Sequence, residues 1–213
     1  RLTQMHQAKQ NTPTMGGAFV LAALVCSTLV WADVVNVFVF LGLVVVLGLG
    51  ALGAVDDLTK LTGRRRGLSE REKLAGQVTL GLAVGLSLYL ISRHTPFGTK
   101  LAIPVFPAYV SIGWLLVPWI ALVITGSSNG VNLTDGLDGL AGGCLVFAGA
   151  AVAVLDYIGG HARLAEFLSV PYVAGCGELA VLVGAAVGAT LGFLWFNCHP
   201  AEVFMGDTGS LSL

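Results

Sequence analysis

The chain has 213 residues, 55% of them hydrophobic and only 11% charged, with a formal net charge of −1. A mean hydropathy of +0.85 excludes an ordinary soluble domain and puts the chain in the membrane class. With 11 Lys and Arg against 12 Asp and Glu, it has no excess of basic charge of the kind that holds nucleic acid, and no such partner is expected.

In chain order, apolar runs long enough to cross a bilayer, roughly 17–25 residues each, lie at 15–32, 34–55, 74–92, 108–126, 139–155 and 172–196. The predicted fold is all-α: a polytopic transmembrane helix bundle of six spans with the start of a seventh. Only Asp33 separates the first two runs. None has the basic start and small-residue cleavage site of a signal peptide. The sequence opens on Arg1 and stops at Leu213, just inside a new apolar stretch. Residues 1–213 are therefore expected to form a single membrane-embedded domain that is incomplete at both ends. Cys26, Cys144, Cys176 and Cys198 lie in or beside spans without a CxxC pair and read as small apolar residues. The outer loop from His94 to Pro107 reads as a Pro-rich turn, and Gly159-Gly160 as another. Gly184, Gly188 and Gly192, four apart inside the last span, read as a helix-packing ridge.

Orientation follows from Lys and Arg sorted by side. One side holds Arg1, Lys9, Lys60, Arg64, Arg65, Arg66, Arg71 and Lys73; the other holds Arg93, Lys100 and Arg163. The first side is predicted to be cytoplasmic, and it carries most of the polar segments. These are KQNTPTMGG (Lys9 to Gly17), the pair Asp56-Asp57, NLTDGLDGL (Asn132 to Leu140) and FNCHPAEVFMGDTGS (Phe196 to Ser210).

Asp56 and Asp57 end a span running toward the cytoplasm, where the helix macrodipole disfavours anions. They read either as simple polar termination of a span or as part of a site. Asp135, Asp138 and Asp207 also follow spans that run the same way. Repeating an unfavourable placement calls for a compensating positive charge, and a divalent cation is the simplest candidate. If NLTDGLDGL is helical, Asp135 and Asp138 share one face with Asn132; otherwise it is a polar turn. Carboxylate and amide oxygens suit Mg²⁺, which takes one or two carboxylates and leaves other positions to water and phosphate. Zinc is disfavoured, because Cys198-His199 has no second ligand pair at zinc spacing. No GxxxxGK[ST] P-loop is present. Arg64-Arg65-Arg66 and the following GLSEREKL read as an interfacial stretch drawn to anionic headgroups, at about 1 kcal/mol per basic residue, or as a means of recruiting an anionic substrate. Glu178 sits near an outer helix N-terminus, where a carboxylate is favoured, and His94 and His161 read as outer-loop residues with nothing arranged around them.

The segments KQNTPTMGG, GAVDDLTK, GLSEREKL, SNGVNLTDGLDGLAGG and FLWFNCHPAEVFMGDTGSL run from end to end of the chain. Through them the sequence resembles the phospho-N-acetylmuramoyl-pentapeptide transferases, within the polyprenyl-phosphate N-acetylhexosamine-1-phosphate transferase superfamily. NLTDGLDGL and the Asp-Asp pair are shared across the superfamily, whereas TPTMGG and GLSEREKL point to the muramoyl-pentapeptide branch. The resemblance implies Mg²⁺-dependent transfer of phospho-MurNAc-pentapeptide from UDP-MurNAc-pentapeptide to undecaprenyl phosphate, giving lipid I and UMP. It further implies a homodimer in the bacterial inner membrane with its active site on the cytoplasmic face. Carried over by position, Asp207 would bind the metal, and Asp56 and Asp57 would be the acidic pair near the lipid phosphate, as positioner and possible base. Lys9, Thr14, Asn132, Asp135, Gly136, Leu137, Asp138, Asn197 and Phe204 would line the nucleotide and phosphate site, with Phe204 stacking on uracil. Asn11 departs from the Gly expected before TPTMGG. A superfamily enzyme that transfers GlcNAc-1-phosphate is the nearest rival, and a cation transporter a distant one, since the span interiors hold almost no ionisable residues.

The charge asymmetry makes a first prediction. A reporter active only outside the cytoplasm is expected to stay silent when fused after Gly63 and to work when fused after Gly98. The reverse pattern would put every polar segment on the outer side.

Overall fold

The computed structural model describes residues 13–62, 67–95, 97–102 and 109–213. Lys9, Asn11 and the Arg64-Arg65-Arg66 run lie outside these residues. Among the described residues the chain forms helices α1 (Gly16–Trp31), α2 (Val37–Leu61), α3 (Glu70–Ser92), α4 (Leu116–Thr134), α5 (Leu140–Gly160), α6 (Ala162–Phe167), α7 (Leu179–Asn197) and α8 (Gly206–Ser212). Short 3₁₀ turns lead into α4 and α7. Five helical segments are long and apolar enough to span a membrane. The sixth apolar helix, α1, has 16 residues, about 24 Å at 1.5 Å per residue. The all-α membrane bundle is as expected.

Local chemistry sets the boundaries. Asp33 Oδ1 accepts from Val35 N at 3.0 Å, and Asn36 Oδ1 accepts from Phe38 N at 2.9 Å. The turn therefore occupies residues 33–36, and α2 starts at 37 rather than 34. At the other end of the next loop, Ser69 and Glu72 form a reciprocal capping box. This moves the start of α3 back to residue 70. The outer loop is not only a turn: β1 (Lys100–Ala102) pairs antiparallel with β2 (Tyr109–Ser111), Leu101 opposite Val110. Phe97 and Tyr109, ring centroids 5.3 Å apart, pack at its base. The fourth span does not end at 126 either, because α4 runs on to Thr134.

Packing places α3 along α4, α5 along α7, and α1 against α7, while the seven-residue α8 sits among α1, α2 and α4. Backbones meet closely where glycine permits it. A Cβ on Gly17 would lie 2.3 Å from Gly209 N, and one on Gly53 would lie 2.2 Å from the Asp207 carbonyl oxygen. The predicted ridge of Gly184, Gly188 and Gly192 is a correction: a Cβ at any of them meets nothing within 4 Å. Helix α7 instead buries Leu182, Thr190, Phe193 and Asn197, which lie on the opposite side of the helix. The outer surface carries large apolar groups such as Phe19, Trp31 and Trp195, as lipid contact requires.

Gly53→Ala pushes a methyl into the backbone of Asp207. It is expected to cost about 1–3 kcal/mol, the usual penalty of overpacking, whereas Gly184→Ala is expected to be neutral or slightly stabilising. Equilibrium unfolding in mixed micelles reads both; equal effects would contradict the seating of α8 on α2.

Candidate active site

Three acidic side chains from two distant segments converge where α2 meets α8. Asp56, Asp57 and Asp207 each offer a carboxylate oxygen, and these oxygens all lie within 4.8 Å of one another. Asp56 and Asp57 are buried. At that distance a like-charge pair costs about 3.5 kcal/mol for an effective dielectric constant of 20, so the cluster needs cations to exist. Two lysines supply them. Lys60 Nζ lies 2.6 Å from Asp56 Oδ2 and 3.1 Å from Asp207 Oδ2. Lys73 Nζ lies 2.9 Å from Asp56 Oδ2 and also donates to Asp207 Oδ2. Asp56 Oδ2 meets both ammoniums as ion pairs, without hydrogen-bond alignment. Its Oδ1 accepts from Leu68 N at 2.6 Å, tying the α2–α3 loop to the cluster.

The two acids of the Asp-Asp pair do different work. Asp57 Oδ2 accepts from Thr208 N at 2.9 Å and Thr208 Oγ1 at 2.7 Å, and Oδ1 accepts from Asp207 N at 3.2 Å. Asp57 thus caps the start of α8 from a neighbouring helix, satisfying N–H groups that have no partner within α8. Asp207 therefore sits in the first turn of α8, where the macrodipole favours a carboxylate. This corrects the sequence reading, which put Asp207 after a helix end. Asp56 and Asp57 likewise lie inside α2, before its end at Leu61.

The TPTMGG segment is the other support. Phe204 N donates to the Pro13 carbonyl at 3.0 Å, while Gly16 N and Gly17 N donate to the carbonyls of Phe204 (2.9 Å) and Met205 (2.8 Å). The chain before α1 and the chain before α8 thereby satisfy each other's backbone. Thr14 is exposed at this junction and Phe204 is half-buried. Lys9 lies outside the described residues.

The NLTDGLDGL stretch divides rather than sharing one helix face. Asn132 is still in α4, and its Nδ2 donates to Ser210 Oγ at 2.8 Å and to Asp207 Oδ1 at 3.4 Å. Asp135 ends the helix as its C-cap. Gly136 and Leu137 are exposed in the turn that follows. Asp138 turns away: His199 Nδ1 lies 3.0 Å from its Oδ2, which also accepts from Ala201 N at 3.4 Å. His199 thereby joins the α7–α8 loop to Asp138. Asn197 is buried, its Oδ1 accepting from Gly139 N at 3.1 Å and its Nδ2 donating to Val203 O at 2.8 Å. With both amide ends committed, Asn197 braces the two loops rather than facing the acidic cluster. At the opposite set of helix ends, His161 Nδ1 accepts from Leu164 N at the start of α6, and Glu178 Oε2 accepts from Asp33 N.

Lys60 and Lys73 are the site residues that sequence reasoning missed. Lys60 stands four residues after Asp56, a spacing that signals an ion pair on a helix. Lys73 gave no signal within GLSEREKL beyond its charge.

The fold and the site define an all-α bundle with membrane-length apolar helices and an acidic cluster clamped by two lysines at one set of helix ends. The sequence model of glycosyl transferase family 4 matches residues 37–213, and the chain belongs to this family. Phospho-N-acetylmuramoyl-pentapeptide-transferases from Geobacter sp. (strain M21) and Nitratidesulfovibrio vulgaris (strain DP4) are each 50% identical to it, over 212 and 210 residues. These alignments cover 99% and 98% of this chain and 58% of each relative. The enzyme of the same name from Koribacter versatilis (strain Ellin345) is 43% identical over 225 residues, 98% of this chain and 59% of the relative. The chain thus spans a little under three-fifths of the length of these relatives, and the resemblance read from the motifs stands.

Burial, and then the negative charge of Asp207, push the Asp135 carboxyl up from 3.8 to about 6. The folded chain holds this proton to higher pH than an unfolded one does. Ionising it therefore weakens the fold as pH rises from about 4 to 6. Carbon NMR of labelled aspartate is expected to show Asp135 titrating near 6, and Asp207→Asn is expected to lower that midpoint. An unchanged midpoint would mean that the two carboxylates do not interact.

Proposed function

We propose that this chain carries the catalytic centre of a phospho-N-acetylmuramoyl-pentapeptide transferase. Its substrates are UDP-MurNAc-pentapeptide and undecaprenyl phosphate, and its products are lipid I and UMP. The observation that carries the reading is the convergence of Asp56, Asp57 and Asp207 with Lys60 and Lys73 at one set of helix ends. The relatives' names supply the substrate class. The eight-to-three charge asymmetry supports a cytoplasmic location for this end, and the family resemblance is the ground for reading an inner-membrane homodimer.

The reaction brings a lipid phosphate oxygen onto the sugar-bearing phosphorus of the diphosphate. A new P–O bond forms, the bond to the bridging oxygen breaks, and UMP leaves with that bond's electrons. A phosphate monoester has its second pKa near about 6, so the nucleophile is already mostly dianionic near neutral pH. Little proton remains for a base to remove. The chain's task is to hold several anions together, and electrostatic stabilisation and positioning carry such reactions.

Lys60 and Lys73 sit where incoming phosphate oxygens would need countercharge, and each can exchange a carboxylate partner for a phosphate. Asp57 and Asn132 orient Asp207. Asp207, whose carboxylate converges with those of Asp56 and Asp57, would hold Mg²⁺, which when bound would supply charge neutralisation between the phosphates and this acidic cluster. With Asp207 bonded to both lysines and Asn132, the arrangement supports direct attack by the lipid phosphate over a covalent aspartyl intermediate.

The test is UMP release from UDP-MurNAc-pentapeptide with undecaprenyl phosphate, with and without Mg²⁺. It uses this sequence completed with the remaining segments of the Geobacter relative. Mg²⁺-dependent release is expected, and Asp207→Asn is expected to reduce turnover at least about 10²-fold, the scale of losing one electrostatic stabiliser. Release from UDP-GlcNAc instead would assign the chain to the sister activity, and near-normal turnover of Asp207→Asn at limiting Mg²⁺ would remove Asp207 from the metal site.

A further inference from the structure

Beneath the acidic cluster lies a second set of polar contacts that the reaction itself does not use. Gln77 is fully buried on α3, within the apolar part of the bundle. Both ends of its amide are committed: Nε2 donates to Ser128 Oγ at 3.1 Å, and Oε1 accepts from Asn129 Nδ2 at 2.8 Å. Asn129 is fixed in turn by its own bond to the Thr125 carbonyl at 2.9 Å. Ser128 Oγ then donates to the Leu211 carbonyl of α8 at 2.7 Å. A serine hydroxyl has a single proton. By occupying a lone pair of that oxygen, Gln77 turns the proton toward α8.

The register of these contacts is regular. On α3, Lys73 and Gln77 are four residues apart; on α8, Asp207 and Leu211 are four apart; on α4, Ser128 and Asn132 are four apart. One rung joins Lys73, Asp207 and Asn132. The other, a helical turn away, joins Gln77, Ser128 and the Leu211 carbonyl. Residues at this spacing stand one above the other on a helix face, so the three helices present matching pairs.

We infer that Gln77 and Ser128 are positioning residues, which fix the height and rotation of α8 one turn beyond Asp207 and so hold Asp207 against Lys73. Asp57 fixes the first turn of α8, and the Ser128 contact on Leu211 fixes the turn that follows. The inference rests on the proposed function for its kinetic consequence and not for its geometry. Interhelical hydrogen bonds inside membranes contribute little net stability; their effect here is on placement. A displacement of about 1 Å at a reacting centre can lose on the order of 10²-fold in rate.

Two measurements on Gln77→Leu test this, in the completed chain used for the activity assay. Solid-state NMR reads the distance between Lys73 Nζ and the Asp207 carboxyl carbon, with no substrate required. The contact present in the parent is expected to lengthen or become averaged. Steady-state kinetics are expected to show kcat reduced about 10-fold or more, with KM for the nucleotide sugar changed less than about 3-fold. Ser128→Ala, which deletes one hydroxyl and serves where Gln77→Leu does not accumulate, is expected to behave alike. Ser128→Thr, which keeps the hydroxyl, is expected to recover most of the rate. Leu182→Ala, a cavity in the distant cluster with Val39 and Leu43, is expected to lower stability without moving the NMR contact. A Gln77→Leu or Ser128→Ala protein that retains both the contact and the parental kcat overturns the inference. If the parent shows no transferase turnover while Gln77→Leu still breaks the contact, the ladder stands and the reading of function fails instead.

Discussion

The seating of α8 on Asp57 is the interaction on which the rest of the site depends. A short helix that begins inside a bundle exposes N–H groups at its start, and leaving them unpaired away from water is costly. Asp57 accepts from two of them and from the Thr208 hydroxyl. That commitment fixes where Asp207 emerges, and it works only because Gly53, one turn earlier on α2, has no side chain to hold α8 off. The backbone exchange between the segment before α1 and the segment before α8 closes the other side.

Once Asp207 is placed, charge dictates the surroundings. Three carboxylates within 4.8 Å repel one another, and Lys60 and Lys73 supply the countercharge that lets them converge. Both reach Asp56 and Asp207 together, which makes the cluster a network rather than a set of pairs. Three carboxylates against two ammoniums leave the cluster net negative, so phosphate oxygens that took over ammonium contacts would call for a further cation beside the acids.

The surrounding loops are built for placement. Asn197 joins two loops through both ends of its amide, and Asp138 accepts from Ala201 N beside His199. Polar residues near a site are often there to satisfy the irregular backbone that the site requires.

Much of this protein is legible in its sequence. Apolar runs of bilayer length give the bundle, because in hydrocarbon a backbone must satisfy itself as helix. Clustering of acids at one set of span ends marks the site region, because charges are excluded from span interiors. Residue pattern alone does not say which carboxylate meets which. It placed Asp207 after a helix instead of at the start of α8, left NLTDGLDGL open between a shared helix face and a polar turn, and passed over Lys73 and Gln77. The glycine row on α7 carried a packing signature but faces open space. These are matters of the relative height and rotation of helices far apart in sequence, set by close backbone contacts and buried hydrogen bonds that local periodicity does not encode. The tertiary structure decided them.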